Sequence, residues 1–253
     1  MQIDLSGKTA LITGATGQLG RVMVRTLAEC GADIIIHYHN NEEKAVQLHT
    51  ETEKMGGKAF VVQADITDFE SITKMKEKIE ASFSLPNIIV NNAVIQYRWT
   101  SVLEQAPEDY ESQFSSCVMQ NVYMAKAFIP YMITKKAGRF IGINTECSMA
   151  NSPTQSAYVS GKRGMDGVLR VLAKEIGEHN ITVNQVAPGW TVSDNDRKWG
   201  TEYNKEYCEK VPLKRRGTDQ EIANAVAFLA SDLAGFITGA FLPVCGGLVM
   251  PCI

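Results

Sequence analysis

An α/β fold, a doubly wound parallel β-sheet flanked by helices on both faces, is predicted by three observations. Short, continuous apolar runs rich in β-branched residues recur along the chain, as strands buried on both faces require. Amphipathic stretches of helical period separate them. The first run leads directly into a glycine-rich turn that opens a helix.

The strand candidates, in order, are TALIT, ADIIIHY, AFVVQAD, NIIVNNA, GRFIGIN, ITVNQVAP and FLPVCGG. Helical patterning covers residues 19–30, 41–55, 69–83 and 156–178. A further helix starts near Thr218, whose hydroxyl forms a capping-box pattern with Glu221 three residues on. No repeat, low-complexity tract or linker divides the chain, so residues 1–253 read as one domain. An irregular, polar excursion at about 189–215 follows a strand's carboxyl end, the side on which such sheets bind ligands.

Composition narrows the partners. A hydrophobic share of 45% and a charged share of 21% are ordinary for a globular chain. The formal net charge of -3 gives no reason to expect nucleic acid or an anionic membrane. The opening MQIDLSGKTALITG lacks a leader pattern, and no apolar run approaches the ~20 residues that cross a bilayer, so a cytoplasmic protein with a small-molecule substrate is expected. Cys30, Cys117, Cys147, Cys208, Cys245 and Cys252 contain no C-x-x-C pair and read as reduced thiols. No metal site is expected, because His37 and His39 alternate at a strand end without further ligands.

In TALITGATGQLGR the glycines Gly14, Gly17 and Gly20, with Thr16, Gln18 and Leu19 between them, allow a tight turn and close backbone approach to a pyrophosphate. The second strand ends in Tyr38 and His39, with no carboxylate until Glu42. A carboxylate there would bond a free ribose hydroxyl and repel a 2′-phosphate, so its absence favours NADP(H) over NAD(H), by a narrow margin since His39 is at most a partial cation. Asp65, followed by Ile66, ends the third strand where a carboxylate can accept from an adenine amino group. A helix N-cap competes for that carboxylate, and Asp65 and Asp68 can divide the two roles.

Two Tyr-x-x-x-Lys pairs occur, in PYMITK and in AYVSGK. Residues four apart share a helix face, so either pair can join a phenol to an ammonium. The second belongs to a fuller set. Thr145 lies thirteen residues before Tyr158 at the end of GRFIGIN, Asn121 lies on the preceding helix, and Pro188 and Gly189 follow another strand. Tyr131 has no such hydroxyl partner and reads as a packing or solvent-facing residue. Hydride transfer to or from a carbonyl carbon needs an acid/base at the oxygen. A phenol with a reference pKa of about 10 needs help at neutral pH, and an ammonium at Lys162 together with a positive nicotinamide favours the phenolate.

These features together resemble the short-chain dehydrogenase/reductase family in its single-domain branch. The resemblance spans the glycine turn, Asn91-Asn92-Ala93, Tyr158-x-x-x-Lys162, Pro188-Gly189, Thr238-Gly239 and Gly246-Gly247. It implies a Rossmann-type fold, an NAD(P)-dependent oxidoreductase acting on a secondary alcohol or ketone, and a homo-oligomer, tetramer or dimer. It also implies that Lys162 hydrogen-bonds the nicotinamide ribose and that Asn121 fixes a water between Lys162 and solvent. Thr145 would hold and polarise the substrate oxygen. Asn91 and Ala93 match the cofactor-contacting turn, Ser193 matches the small hydroxyl residue near the nicotinamide carboxamide, and Thr191 lies on the same segment. Three departures stand out: Gln18 in a glycine slot, with Gly17 one residue early; Val94 where glycine is common; and Thr145 where serine is usual. Ser148 competes with Thr145 and is expected to be a loop residue.

Gln96, Arg98, Glu146, Gln155 and Trp190 are the expected substrate contacts, with Trp99, Asp194, Asp196 and Arg197 nearby. A flat apolar ligand fits so polar a mouth poorly, which favours a small polar carbonyl or polyol. A 3-oxoacyl thioester is the rival, which a basic surface for its carrier would favour; Lys214, Arg215 and Arg216 form a basic segment, but segments like it are common at this point in the family and discriminate poorly. A non-catalytic nucleotide sensor has no need for the Tyr158 phenol. An epimerase or dehydratase, suggested by the glycine spacing, would want a larger C-terminal region. The apolar ending FLPVCGGLVMPCI is expected to pack on a neighbouring subunit or over the substrate pocket.

Overall fold

The computed structural model describes residues 2–251. The strands are β1 (Thr9–Ile12), β2 (Asp33–Tyr38), β3 (Ala59–Gln63), β4 (Ile88–Asn91), β5 (Gly138–Ile143), β6 (Ile181–Pro188) and β7 (Phe241–Val244). They form one parallel sheet in the order β3-β2-β1-β4-β5-β6-β7. The helices are α1 (Gln18–Glu29), α2 (Glu42–Lys54), α3 (Phe69–Ser82), α4 (Pro107–Gln113), α5 (Gln120–Lys135), α6 (Cys147–Ala150), α7 (Ser156–Ile176), α8 (Asp194–Trp199), α9 (Lys205–Lys210) and α10 (Asp219–Ala230).

Alternation along the strands sends side chains to two cores. On one face Ile12, Ile34 and Ile36 meet Met23 and Leu27 of α1 and Val226 and Leu229 of α10. On the other, Leu11, Ile35, Ile89 and Phe140 meet Met75 of α3, Phe128 and Met132 of α5 and Leu169 of α7. Each fully buried side chain of this kind contributes about 1.5–3 kcal/mol. Among the described residues no helix is long and apolar enough to cross a membrane.

Helix starts follow the side chains. Thr218 and Glu221 form the expected capping box at α10, and Asp68 caps α3 by accepting from Glu70 and Ser71. The excursion, expected as mixed loop and helix, holds two short helices. Ser193 and Asp196 form a second capping box that starts α8, and Asn204 caps α9. Ser148, expected in a loop, lies in α6. Between α4 and α5 the helix widens into a π-turn at Phe114–Met119. There α7 comes close enough that a Cβ on Gly161 would sit 2.7 Å from the Gln113 carbonyl. The five described cysteines are free thiols. Cys252 and the end of the apolar tail lie outside the described residues.

Candidate active site

Strand order reverses beside β1, and a cleft of about 1800 Å³ opens at the carboxyl ends there. Its floor is a polar knot. The Thr13 hydroxyl donates to Gln120 Oε1 at 2.7 Å and accepts the backbone N–H groups of Asn92 and Ala93 at 2.9 and 3.0 Å. Asn92 Nδ2 donates to the carbonyls of Thr13 and Gly14, and Gln120 Nε2 to that of Ala93. Gly14 has φ +60°, and a Cβ there would lie 3.0 Å from Ala93 Cα, so the turn after β4 closes directly on the glycine turn.

His37 braces this turn from below. Its Nδ1 accepts the Gly14 N–H at 3.1 Å, which leaves Nε2 to donate to the Ala64 carbonyl at 3.1 Å. Burial pushes the imidazole down to about 4, so it is neutral at neutral pH. Neither His37 nor Thr13 and Gln120 stood out as site residues from sequence. The available signal was a polar side chain inside an otherwise apolar, doubly covered strand.

Helix α1 begins after Gly17, an N-cap without a side-chain hydrogen bond, so the first-turn N–H groups remain available to an anion. This uncapped terminus and the close Gly14–Ala93 approach fit the pyrophosphate of a dinucleotide. Of the expected cofactor residues, Gly14, Thr16, Gly17, Gln18, Leu19 and His39 line the cleft. Asp65, Ile66, Ala93, Pro188, Gly189 and Thr191 do so as well. Four do not. Gly20 is buried inside α1, where a Cβ would strike the Gly14 carbonyl at 2.3 Å. Tyr38 turns to Glu42, Asn91 Nδ2 donates to Asn121 Oδ1 at 2.9 Å, and the Ser193 hydroxyl donates to Asp196 within its capping box. Asp65 accepts from the N–H and hydroxyl of Thr67, so Asp68 is the cap and Asp65 stays at the cleft. Gln18 gains a role that the glycine pattern did not indicate: Nε2 donates to the Val192 carbonyl at 2.8 Å across the cleft, and Arg21 pairs with Asp194 beside it.

Thr145, Tyr158 and Lys162 line the same cleft. Lys162, 3% exposed, donates to the Ile143 carbonyl at 2.6 Å and lies 5.7 Å from the centroid of the Tyr158 ring. The protein groups around the Tyr158 phenol act against the lowering expected from Lys162 and a positive nicotinamide. Burial pushes the phenol up, the neighbouring Cys147 and Cys117 thiols act in the same sense, and the Thr145 hydroxyl opposes them. Two aromatic rings meet this residue: Tyr97, which the sequence did not single out, accepts the Tyr158 N–H on its hydroxyl at 2.7 Å, and Trp99, expected near the substrate mouth, stacks on Tyr158 at 5.9 Å. Ser148 is spent on structure, its hydroxyl donating to the Thr145 carbonyl at 2.8 Å. Asn121 is buried outside the cleft lining, with Nδ2 donating to the Cys117 carbonyl at 2.7 Å. The decoy Tyr131 lies on α5 away from the cleft, with Lys135 Nζ 5.5 Å from its ring centroid.

At the substrate end, Gln96, Glu146, Gln155 and Trp190 line the cleft, while Arg98 is exposed outside it. Asp196 and Arg197 are held in ion pairs with Arg216 and Asp219, respectively. Glu146 Oε1 accepts from the Tyr207 hydroxyl at 2.8 Å and from the Trp190 N–H at 3.2 Å. Tyr207, on α9, is a cleft residue that the sequence did not single out. Leu248, Val249 and Met250 of the apolar ending also line the cleft, so this part of the tail lies over the pocket.

A family model described as enoyl-(acyl carrier protein) reductase matches residues 14–249. The 3-oxoacyl-[acyl-carrier-protein] reductase of Escherichia coli (strain K12) is 36% identical over 248 residues, covering 98% of this chain and 100% of that protein. Among solved structures, a gluconate 5-dehydrogenase from Burkholderia cenocepacia J2315, in complex with NADP and tartrate, superposes with a TM-score of 0.90 at 29% identity, covering 98% of this chain and 97% of its own. A blue fluorescent protein from a metagenomic library, in complex with NADPH, gives 0.88 at 30% identity, covering 98% and 100%. A match across nearly the whole chain, on a seven-stranded parallel sheet with its cleft at the reversal of strand order, makes this chain a member of the short-chain dehydrogenase/reductase family, NAD(P)-dependent oxidoreductases of CH–OH and keto groups.

Proposed function

We propose that residues 1–253 form one dinucleotide-binding unit that interconverts a small polar secondary alcohol and its ketone. The observation that carries this reading is that Thr145, Tyr158 and Lys162 share one cleft with the glycine turn. A bound nicotinamide supplies the hydride. The Thr145 hydroxyl holds the substrate oxygen, and the Tyr158 phenol gives or takes its proton. Lys162 spends one N–H on Ile143 and keeps two further donors, with which it would hold the ribose and, together with an oxidised nicotinamide, bias Tyr158 toward phenolate against its burial. Asn121, bonded to Asn91 behind the site, would fix the water that joins Lys162 to solvent.

NADP(H) is the preferred dinucleotide. His39, Asn40 and Asn41 line the cleft at the end of β2 without a carboxylate, and Glu42 is turned to Tyr38. Self-association into a dimer or tetramer accompanies this reading, supported by the exposed apolar side chains of Phe69 on α3, Phe114 in the π-turn and Val171 on α7.

A second reading, reduction of a 3-oxoacyl thioester, is favoured by the likeness to the acyl-carrier-protein reductase. Of the basic segment Lys214, Arg215 and Arg216, only the first two are exposed. Arg215 pairs with Glu221, Arg216 is buried against Asp196, and Lys214 donates to the Glu209 carbonyl. Titration with NADPH and NADH, then a panel of ketones, polyols and acyl thioesters followed by nicotinamide absorbance, separates the readings. Failure to bind either dinucleotide would sink both.

A further inference from the structure

Glu146 directly follows Thr145, and its side chain is buried, with the residue 4% exposed. One carboxylate oxygen is fully engaged, by Tyr207 and by the Trp190 N–H. The other, Oε2, is buried without a partner among the described residues. Gln155, three residues before Tyr158, is in the same condition: its Oε1 is buried and unpartnered. Both side chains line the cleft together with Thr145 and Tyr158.

The surroundings hold Glu146 in this posture. Tyr207 and the Trp190 backbone grip Oε1 from the excursion side. Gly189 leaves room beside Oε2, since a Cβ at that position would lie 3.0 Å from it and 2.8 Å from the Tyr207 hydroxyl. Leaving a buried acceptor without a donor costs about 1–3 kcal/mol, and more when it is charged. A fold that keeps two such acceptors beside a reaction centre is complementary to a ligand that brings donors.

We propose that Glu146 Oε2 and Gln155 Oε1 accept hydrogen bonds from hydroxyl groups that the substrate carries beside its reacting carbon, so that Glu146 selects polyols and hydroxyketones. This rests on the reading of Thr145 and Tyr158 as the seat of the reacting oxygen. A 3-oxoacyl thioester satisfies neither acceptor. The carbons flanking its ketone bear only C–H, and its second carbonyl is itself an acceptor that would face a carboxylate. Sites built to hydrogen-bond a substrate hydroxyl reject analogues lacking it strongly, because their own polar groups are then stranded.

The test compares kcat/KM, with NADPH, for pairs of ketones of equal carbon skeleton, one hydroxylated beside the carbonyl and one not, from dihydroxyacetone against acetone up to hexuloses against their deoxy counterparts. Wild type, Glu146→Gln and Gln155→Leu are measured, with NADPH binding as the check on folding. The expected result is a wild-type preference for the hydroxylated member that falls about 10- to 100-fold in Glu146→Gln, the loss expected for a hydrogen bond to a charged acceptor. A smaller fall is expected in Gln155→Leu, which also carries the test if Glu146→Gln does not fold. An unchanged preference ratio in the folded variants overturns the inference. Wild-type turnover of 3-oxoacyl thioesters but not of hydroxyketones also overturns it, while leaving hydride transfer at Tyr158 standing. No turnover of any carbonyl with NADPH bound overturns both.

Discussion

His37 Nδ1 accepts the backbone N–H of Gly14 at 3.1 Å, so a buried imidazole holds the turn on which the cofactor site is built. This makes stability depend on pH. Burial, partly offset by the hydrogen bond to Ala64, moves the folded imidazole from 6.5 to about 4. Between these values the unfolded chain binds the proton and the folded chain does not, so the contribution is full above about 6.5 and is lost as pH falls toward about 4. Urea unfolding of wild type should lose about 2–3 kcal/mol more than His37→Gln between about pH 7 and about pH 4.5. Equal losses in the two proteins would contradict the assignment.

Thr145 and Ser148 both present hydroxyls near the reaction centre, but only Thr145 lines the cleft. Thr145→Ala should lower kcat by about 10-fold or more, while Thr145→Ser retains most activity because the hydrogen bond survives. Ser148→Ala should lower the melting temperature, at a cost of about 1 kcal/mol for a lost buried hydrogen bond, with kcat nearly intact. Steady-state kinetics and thermal melts on the three variants decide the matter.

Tyr158 and Tyr131 carry their lysines at almost equal distances, 5.7 and 5.5 Å from nitrogen to ring centroid, so helical spacing alone does not mark the working pair. What differs is the setting: Lys162, on α7, is buried against the end of β5, and Lys135 is exposed at the end of α5. Tyr158→Phe should bind NADPH normally and lose about 100- to 10 000-fold in kcat. Tyr131→Phe should match wild type in both measurements, and loss of turnover in that variant would reverse the assignment.

Arg216 has a side chain only 1% exposed, and it joins the carbonyls of Trp190, Thr191, Thr201 and Glu202 to the Asp196 carboxylate. Its guanidinium also lies 4.3 Å from the Trp190 ring centroid. A lysine cannot reproduce this fork. Arg216→Lys should cost about 3 kcal/mol, speed amide exchange across α8 and α9, and raise KM more than it lowers kcat. Exchange rates unchanged in these helices would show that the excursion is held by other contacts.

Much of this architecture was legible because it is written in local patterns. Runs such as DIIIHY can be buried only between two helical layers, and Thr218 with Glu221 announces α10. The Tyr158 set was readable from the spacing to Thr145. Tertiary partnerships were not. The roles of Gln18 and Val192 depend on a contact between residues 174 apart, and Ser193 was assigned to the cofactor although its hydroxyl completes a capping box with Asp196. The Tyr-x-x-x-Lys pattern likewise shows the nearby cation and hides the burial that pushes the Tyr158 phenol up.

Gln18 and Arg21 reach over from the first turn of α1 to Val192 and Asp194, on the same strip of chain that carries Trp190. One jaw of the instrument that gauges the substrate therefore rests on the cofactor's own doorstep. If the proposed cofactor and substrate sites are joined through this strip, a change of affinity at one is returned at the other by the same factor.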